Sequence, residues 1–295
     1  MPLLFTLPGN EAMSGLLRNG LPAESGKAEF RRFPDGESYV RIGTDPNGRQ
    51  VMMVAALSHP DDKVLPLLYF AAAARDLGAR SVGLIDPYLA YLRQDRRFKS
   101  GEALTSCTFA HLLGGAFDWL VTVEPHLHRL SSLRDIYSIP TLSVHAAPLL
   151  VDWIKDQVRN PVLIGPDAES EQWVSAIAER AAVPYVILKK SRRGDYEVSI
   201  AAPDFQRWHG CTPVIVDDII STGRTMIEVT AHLRRAAFVP PVCLAVHGIF
   251  SGPALHEMRA AGIERIVTCN TMPHATNDID ISSLLAAGVK TMLEL

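Results

Sequence analysis

Short apolar runs recur along the chain and alternate with longer stretches in which apolar residues return at helical spacing. Residues 3–7 read as a first strand, and residues 11–17, beyond a Pro-Gly-Asn break, as a helix. Residues 28–33 and 38–42 read as a hairpin pair around a Pro34-Asp35-Gly36 turn. A buried strand is expected over 51–56, a helix over 64–77 ended by Gly78, and another strand over 81–85. Residues 105–113 carry a helix, and 119–123 a strand that runs into Glu124-Pro125-His126. The second half repeats the plan: strand 162–164, helix 171–181, strand 185–188, strand 214–216, a helix with Met226, Val229 and Leu233 on one face, then strands over 242–249 and 266–269. Alternation of this kind predicts an α/β protein with mainly parallel sheets.

The chain's 295 residues are enough for one large or two ordinary domains. Each half has a strand running into a basic segment and a strand ending in an acidic residue, the mark of a duplicated domain. Residues 140–148 are the expected seam, which gives domains over 1–145 and 146–295. With 47% hydrophobic and 21% charged residues, a soluble globular protein is expected. A net charge of -3 argues against a general nucleic-acid or membrane-surface role. Cys107, Cys211, Cys243 and Cys269 are scattered, without a CxxC pair, and read as reduced thiols of a cytoplasmic protein. The first residues lack the basic start and long apolar core of a signal peptide, and no apolar run approaches membrane-spanning length.

The chemistry concentrates in residues 213–225, PVIVDDIISTGRT. Val214, Ile215 and Val216 suit a strand buried on both faces of a parallel sheet, and Asp217 and Asp218 stand where that strand is expected to end. Ser221, Thr222, Gly223, Arg224 and Thr225 then form a small, hydroxylated loop before the helix. Backbone N–H groups of such a loop and the helix N-terminus point at an anion, and the hydroxyls add donors. The two carboxylates would repel a phosphate, so they suit sugar hydroxyls or a metal. The plainer alternative is an ordinary helix cap from Ser221 or Thr222.

This stretch resembles the ribose-phosphate loop shared by phosphoribosyltransferases and phosphoribosyl-pyrophosphate (PRPP) synthetases. Five further segments occur with it and in order: RFPDGE at 32–37, PYLAYLRQDRRFKSGE at 87–102, TVEPHLH at 122–128, GPD at 165–167 and KKSRRG at 189–194. Together they resemble the ribose-phosphate pyrophosphokinases, the PRPP synthetases, over about nine-tenths of the chain. The resemblance implies two tandem phosphoribosyltransferase-like domains of type I. It also implies transfer of the pyrophosphoryl group of MgATP to the anomeric hydroxyl of ribose 5-phosphate, giving PRPP and AMP. By the same resemblance, Asp35, Glu37, Arg93, Gln94 and Arg96 contact ATP, with the hairpin of Asp35 and Glu37 reaching a neighbouring subunit's nucleotide. A homo-oligomer, a dimer or a multiple of dimers, is therefore implied. His126 and Asp167 take the metal role for Mg²⁺, held mainly by phosphates and water. Lys190 and Arg192 are the catalytic cations on a basic loop, with Lys189 the alternative to Lys190. Asp217 and Asp218 meet the ribose and metal, and residues 221–225 the 5-phosphate.

Some positions depart from the commoner pattern. Ser221 stands where many members carry an acid, as in the shorter archaeal-type enzymes, which the length and the compact Lys-Lys-Ser-Arg segment also resemble. Arg224, Glu124 in place of Asp, and Asp167-Ala168-Glu169 without a His-Gly-Gly tail put regulation by ADP and phosphate in question. The competing readings are a phosphoribosyltransferase and a non-catalytic regulatory homologue. The former gives no reason for RQDR, and the latter none for the intact cations and acids.

Overall fold

The continuous apolar runs form parallel strands buried on both faces, flanked by helices, in a computed structural model that describes residues 1–127, 129–193, 197–201 and 205–294. Side chains are described for all of these except 189–193, 197–201 and 205–206. The chain forms two units: Met1–His145 with Thr271–Pro273 and Ile281–Leu295, and Ala146–Asn270 with His274–Asp280.

The first unit contains β1 (Leu3–Thr6), α1 (Glu11–Gly20), β2 (Glu24–Ser25), β3 (Ala28–Arg32), β4 (Ser38–Ile42), β5 (Gln50–Val54), α2 (Asp61–Asp76), β6 (Ser81–Asp86), α3 (Thr105–Ala116), β7 (Trp119–Val123) and β8 (Thr141–Val144). Its main sheet has the order β2-β1-β5-β6-β7-β8, parallel at every pairing, and β3 and β4 form a separate antiparallel hairpin. The second unit contains α4 (Ala147–Gln157), β9 (Pro161–Gly165), α5 (Glu171–Ala181), β10 (Tyr185–Ile187), β11 (Lys189–Arg193), β12 (Glu197–Ala201), β13 (Thr212–Ile220), α6 (Arg224–Arg235), β14 (Val242–Gly248), α7 (Ala254–Ala260), β15 (Arg265–Cys269) and β16 (Asn277–Ile279). Its sheet runs β10-β9-β13-β14-β15-β16, again all parallel, with β11 and β12 as the separate hairpin. In both units the second strand lies outside the first, the hairpin follows it, and the remaining strands continue on the other side. The duplication expected from the sequence is therefore present at the level of topology.

Three differences from the sequence reading concern the site. The strand expected to stop before Asp217 continues through both aspartates to Ile220, because β14 pairs alongside it as far as Ile220 with Gly248. The basic run 189–193, expected as a loop, is a strand of an antiparallel hairpin, with Lys190 opposite Ile200 and Arg192 opposite Val198. The last helix, α8 (Ser282–Leu293), belongs to the first unit, so the second half does not run unbroken to the end of the chain. It buries Leu285, Ala286, Val289 and Met292 and packs on α1, β7 and β8. At Gly288 a Cβ would lie 2.9 Å from Leu142 and 3.0 Å from Val144, so glycine lets this helix lie close on the sheet. All four cysteines are free. Among the described residues no helix is long and apolar enough to cross a membrane.

Candidate active site

In the second unit, β9 leads through α5 to β10 on one side, whereas its neighbour β13 leads through α6 to β14 on the other. The chain thus departs in opposite directions from two adjacent parallel strands. In open α/β sheets the crevice beyond the carboxyl ends of such strands is where ligands bind. Three acids gather there, Asp167 just after β9 and Asp217 and Asp218 on β13. Burial pushes the Asp217 carboxyl well above the usual carboxylate range, and the negative charges of Asp218 and Asp167 push it the same way. The N–H of Asp218 donates to Asp217 Oδ1 at 3.0 Å and partly offsets this. Asp167 also organises its own loop, since its Oδ1 accepts the N–H groups of Glu169 and Ser170, both at 3.1 Å.

Residues 221–225 follow directly. Gly223 has φ +70° and forms the N-cap of α6, which no side chain caps. The plainer expectation, a Ser221 or Thr222 cap, is thus not met, and the first-turn N–H groups lack a capping side chain. The loop is braced from the end of β14: the Ile249 and Phe250 N–H groups donate to the Ile220 carbonyl at 2.9 and 3.2 Å. The Ser251 N–H donates to the Ser221 carbonyl at 3.0 Å, and the two serine hydroxyls lie 3.2 Å apart. Thr222 and Arg224 are exposed, Ser221 and Thr225 half-buried. A loop of this geometry at a helix N-terminus can hold an anion.

The first unit holds the other groups. Asp35 and Glu37 are exposed at the tip of the β3–β4 hairpin, where the Glu37 N–H donates to Asp35 Oδ1 at 3.2 Å across the turn. Arg93 and Arg96 are exposed and Gln94 half-buried on the segment between β6 and α3, whose Tyr88, Leu89, Ala90 and Leu92 are buried anchors. Both pieces are tied to the start of α2: Arg32, beside the hairpin turn, meets Asp62 at 2.7 Å, and the Tyr91 hydroxyl bonds Asp61. His126 lies half-buried just past β7. Two residues earlier, Glu124 takes φ +37°, a conformation that non-glycine residues adopt rarely. Its carboxylate lies 3.2 Å from His145 Nδ1, and this hydrogen bond raises the His145 pKa above its ordinary value.

The structure therefore brings together Asp167, Asp217, Asp218 and residues 221–225 in the second unit. Asp35, Glu37, Arg93, Gln94, Arg96 and His126 lie in the first. The expected metal pair is divided, with His126 in one unit and Asp167 in the other. Among the described residues there is no group of three or more His, Cys, Asp and Glu able to hold a metal ion. The side chains of Lys190 and Arg192 lie outside the described residues.

Comparison with known proteins follows the same division. Residues 3–116 match the N-terminal domain of ribose phosphate pyrophosphokinase, and residues 132–281 match the phosphoribosyl transferase domain. The ribose-phosphate pyrophosphokinase of Saccharolobus solfataricus is 35% identical over 262 residues, 88% of each chain. That of Methanopyrus kandleri is 32% identical over 279 residues, 94% of each chain. The chain belongs to the ribose-phosphate pyrophosphokinase family. Its fold is that of the phosphoribosylpyrophosphate synthetase of Mycobacterium smegmatis, with a TM-score of 0.86 at 23% identity, covering 100% of this chain and 99% of that one.

Sequence reasoning missed the residues that brace this pyrophosphokinase site. Asp86 is fully buried at the end of β6, where its Oδ1 accepts the N–H groups of Leu57 at 3.1 Å and Tyr88 at 3.2 Å. It thereby ties the β5–α2 connection to the start of the 87–99 segment. Burial pushes its carboxyl well above the usual range, against the pull of both hydrogen bonds and of the nearby Lys63 ammonium. A single acid closing an apolar run was the available signal, easily taken for a strand end. Ser251 carried no signal, because its role depends on which loop β14 lies beside.

Proposed function

We propose that this chain transfers the pyrophosphoryl group of ATP to the anomeric hydroxyl of ribose 5-phosphate, releasing PRPP and AMP. The hydroxyl oxygen attacks the β-phosphorus, the bond from that phosphorus to the α-phosphate oxygen breaks, and the hydroxyl proton is lost. The observation that carries this reading is the uncapped loop 221–225 lying directly behind Asp217 and Asp218 at the switch point of the second sheet. The loop's N–H groups and the hydroxyls of Ser221, Thr222 and Thr225 hold the 5-phosphate, with the Arg224 guanidinium at its exposed edge. Asp217 and Asp218 accept hydrogen bonds from the ribose hydroxyls.

The first unit supplies the nucleotide site. Arg93, Gln94 and Arg96 bind the triphosphate and base, and Asp35 and Glu37 complete the site of a neighbouring copy in a homo-oligomer. Asp167, whose charge helps push the Asp217 carboxyl upward, offers an oxygen donor suited to a hard divalent cation, and Mg²⁺, held mainly by substrate phosphates and water, would take Asp167 and His126 as its few protein contacts. When bound, the ion neutralises triphosphate charge. Lys190 and Arg192, from β11, offset the charge that develops on the transferred group; positioning and electrostatics supply most of the acceleration in such transfers. Four free thiols suit the reducing cytoplasm in which this chemistry would serve nucleotide synthesis.

Incubation with ribose 5-phosphate and MgATP should yield PRPP and AMP in equal amounts. Formation of ADP instead would mean transfer of a single phosphoryl group and would overturn the reading. Lys190→Ala is expected to lower kcat by on the order of 10²–10³, about 3–4 kcal/mol, with KM for ATP little changed. An equal loss in both parameters would make Lys190 a binding residue.

A further inference from the structure

The segment proposed to bind ATP is rich in cations, yet it carries an acid in its middle. In Arg93-Gln94-Asp95-Arg96 the two arginines are exposed, whereas the Asp95 side chain is only 4% exposed. Its carboxylate is gripped by Arg129, whose Nη1 lies 3.2 Å from Oδ1 and 3.3 Å from Oδ2. Arg129 comes three residues after His126. Its guanidinium also lies 5.3 Å from the centre of the Phe98 ring, and that of Arg96 lies 4.9 Å from the same ring. Beyond Phe98 the segment is fastened again, since the N–H groups of Phe98 and Lys99 donate to Glu102 Oε2 at 2.7 and 3.0 Å.

We infer that Asp95 and Arg129 are positioning residues that fix the 93–96 segment in its ATP-binding conformation and tie it to the strand end that carries His126. The inference rests on the reading of this segment as the nucleotide site. A carboxylate beside a triphosphate would repel it. Turned inward onto Arg129, the same carboxylate anchors the backbone between two outward-facing cations. The pair thus sets where Arg93 and Arg96 emerge without touching the ligand. Arg129 is suited to this because its planar guanidinium reaches both Asp95 oxygens through one nitrogen while lying over the Phe98 ring, a stacking that a lysine does not reproduce.

The test compares wild type with Asp95→Asn, Arg129→Lys, Arg129→Met and the Asp95→Asn/Arg129→Met double variant. It combines steady-state kinetics in both substrates with equilibrium titration of a non-hydrolysable ATP analogue. Asp95→Asn and Arg129→Met should each weaken ATP about tenfold in KM and in the titration, a loss of about 1.4 kcal/mol. KM for ribose 5-phosphate should stay within about twofold. Arg129→Lys should fall between these variants and wild type. The double variant should be no worse than either single one, because each single change already disengages the clamp. Equal shifts in both KM values, additive losses, or folded variants that bind the analogue as wild type does would each overturn the inference. A wild-type chain that binds the analogue but forms no PRPP would instead defeat the proposed reaction, and the clamp would then be judged by the titration alone.

Discussion

Asp86 shows how a single residue can serve the site from inside the core. One carboxyl oxygen accepts two backbone N–H groups, while the other is buried without a partner, as are the hydroxyls of Ser106 and Thr122. Thr122 lies on the neighbouring strand in register with Asp86. An unpaired charge in such a place is costly, so the group is held protonated well above the ordinary carboxylate range. Because the folded pKa is raised, the unfolded chain releases this proton first as pH rises. The contribution of Asp86 to stability is complete below about pH 4 and declines upward until the raised folded pKa is passed. Asp86→Asn keeps an oxygen for the two N–H groups and cannot ionise. As pH rises from about 4 toward the raised folded pKa, urea-unfolding free energies of the two proteins should therefore diverge in favour of the variant, by up to about 1.4 kcal/mol per pH unit. Parallel curves would mean that Asp86 is ionised in the fold.

Among the elements, the β13–α6 junction shows most clearly what the sequence makes legible. Val214, Ile215 and Val216 are each fully buried, and a strand enclosed on both faces announces itself by an unbroken apolar run. The small loop behind it was legible as a helix start, but glycine and hydroxyl residues there serve equally as ordinary N-caps, and only the two aspartates ahead of them pointed to a ligand. What the run cannot show is that β13 continues through two aspartates, since only the pairing with β14 holds polar residues in a strand. The β11–β12 hairpin stayed hidden for a related reason: Lys-Lys-Ser-Arg-Arg has no apolar alternation, and a run of cations reads as a solvated loop. Gly223 was legible by type but not in its full constraint. It sits at φ +70°, and a Cβ there would also come within 2.7 Å of Met258. Gly223→Ala should lose about 1–2 kcal/mol from the left-handed backbone alone, and raise KM for ribose 5-phosphate far more than KM for ATP. Adding Met258→Ala should relieve the contact but leave the backbone strain. Full restoration of KM in that double variant would show that only the contact mattered.

For the whole molecule, the decisive feature is the return of the chain to its first unit. Residues 282–293 form an apolar helix, and nothing local in their sequence says which sheet it covers. That depends on the shape of β7, β8 and α1, whose residues lie far away in sequence. The fit is close on both sides of α8, with Gly288 against Leu142 and Val144, and a Cβ on Gly20 only 3.0 Å from Ala286. Burial of Leu285, Val289 and Met292, at roughly 1.5–3 kcal/mol each, amounts to about 5–9 kcal/mol. That is comparable to the whole stability of an ordinary domain, about 5–15 kcal/mol. A fragment of residues 1–145 alone should therefore be largely unfolded. The same fragment with residues 281–295 joined to it by a flexible linker should fold cooperatively in urea titration. If the shorter fragment unfolds with the same midpoint as the longer one, α8 is an accessory of the first unit and the sheet stands without it.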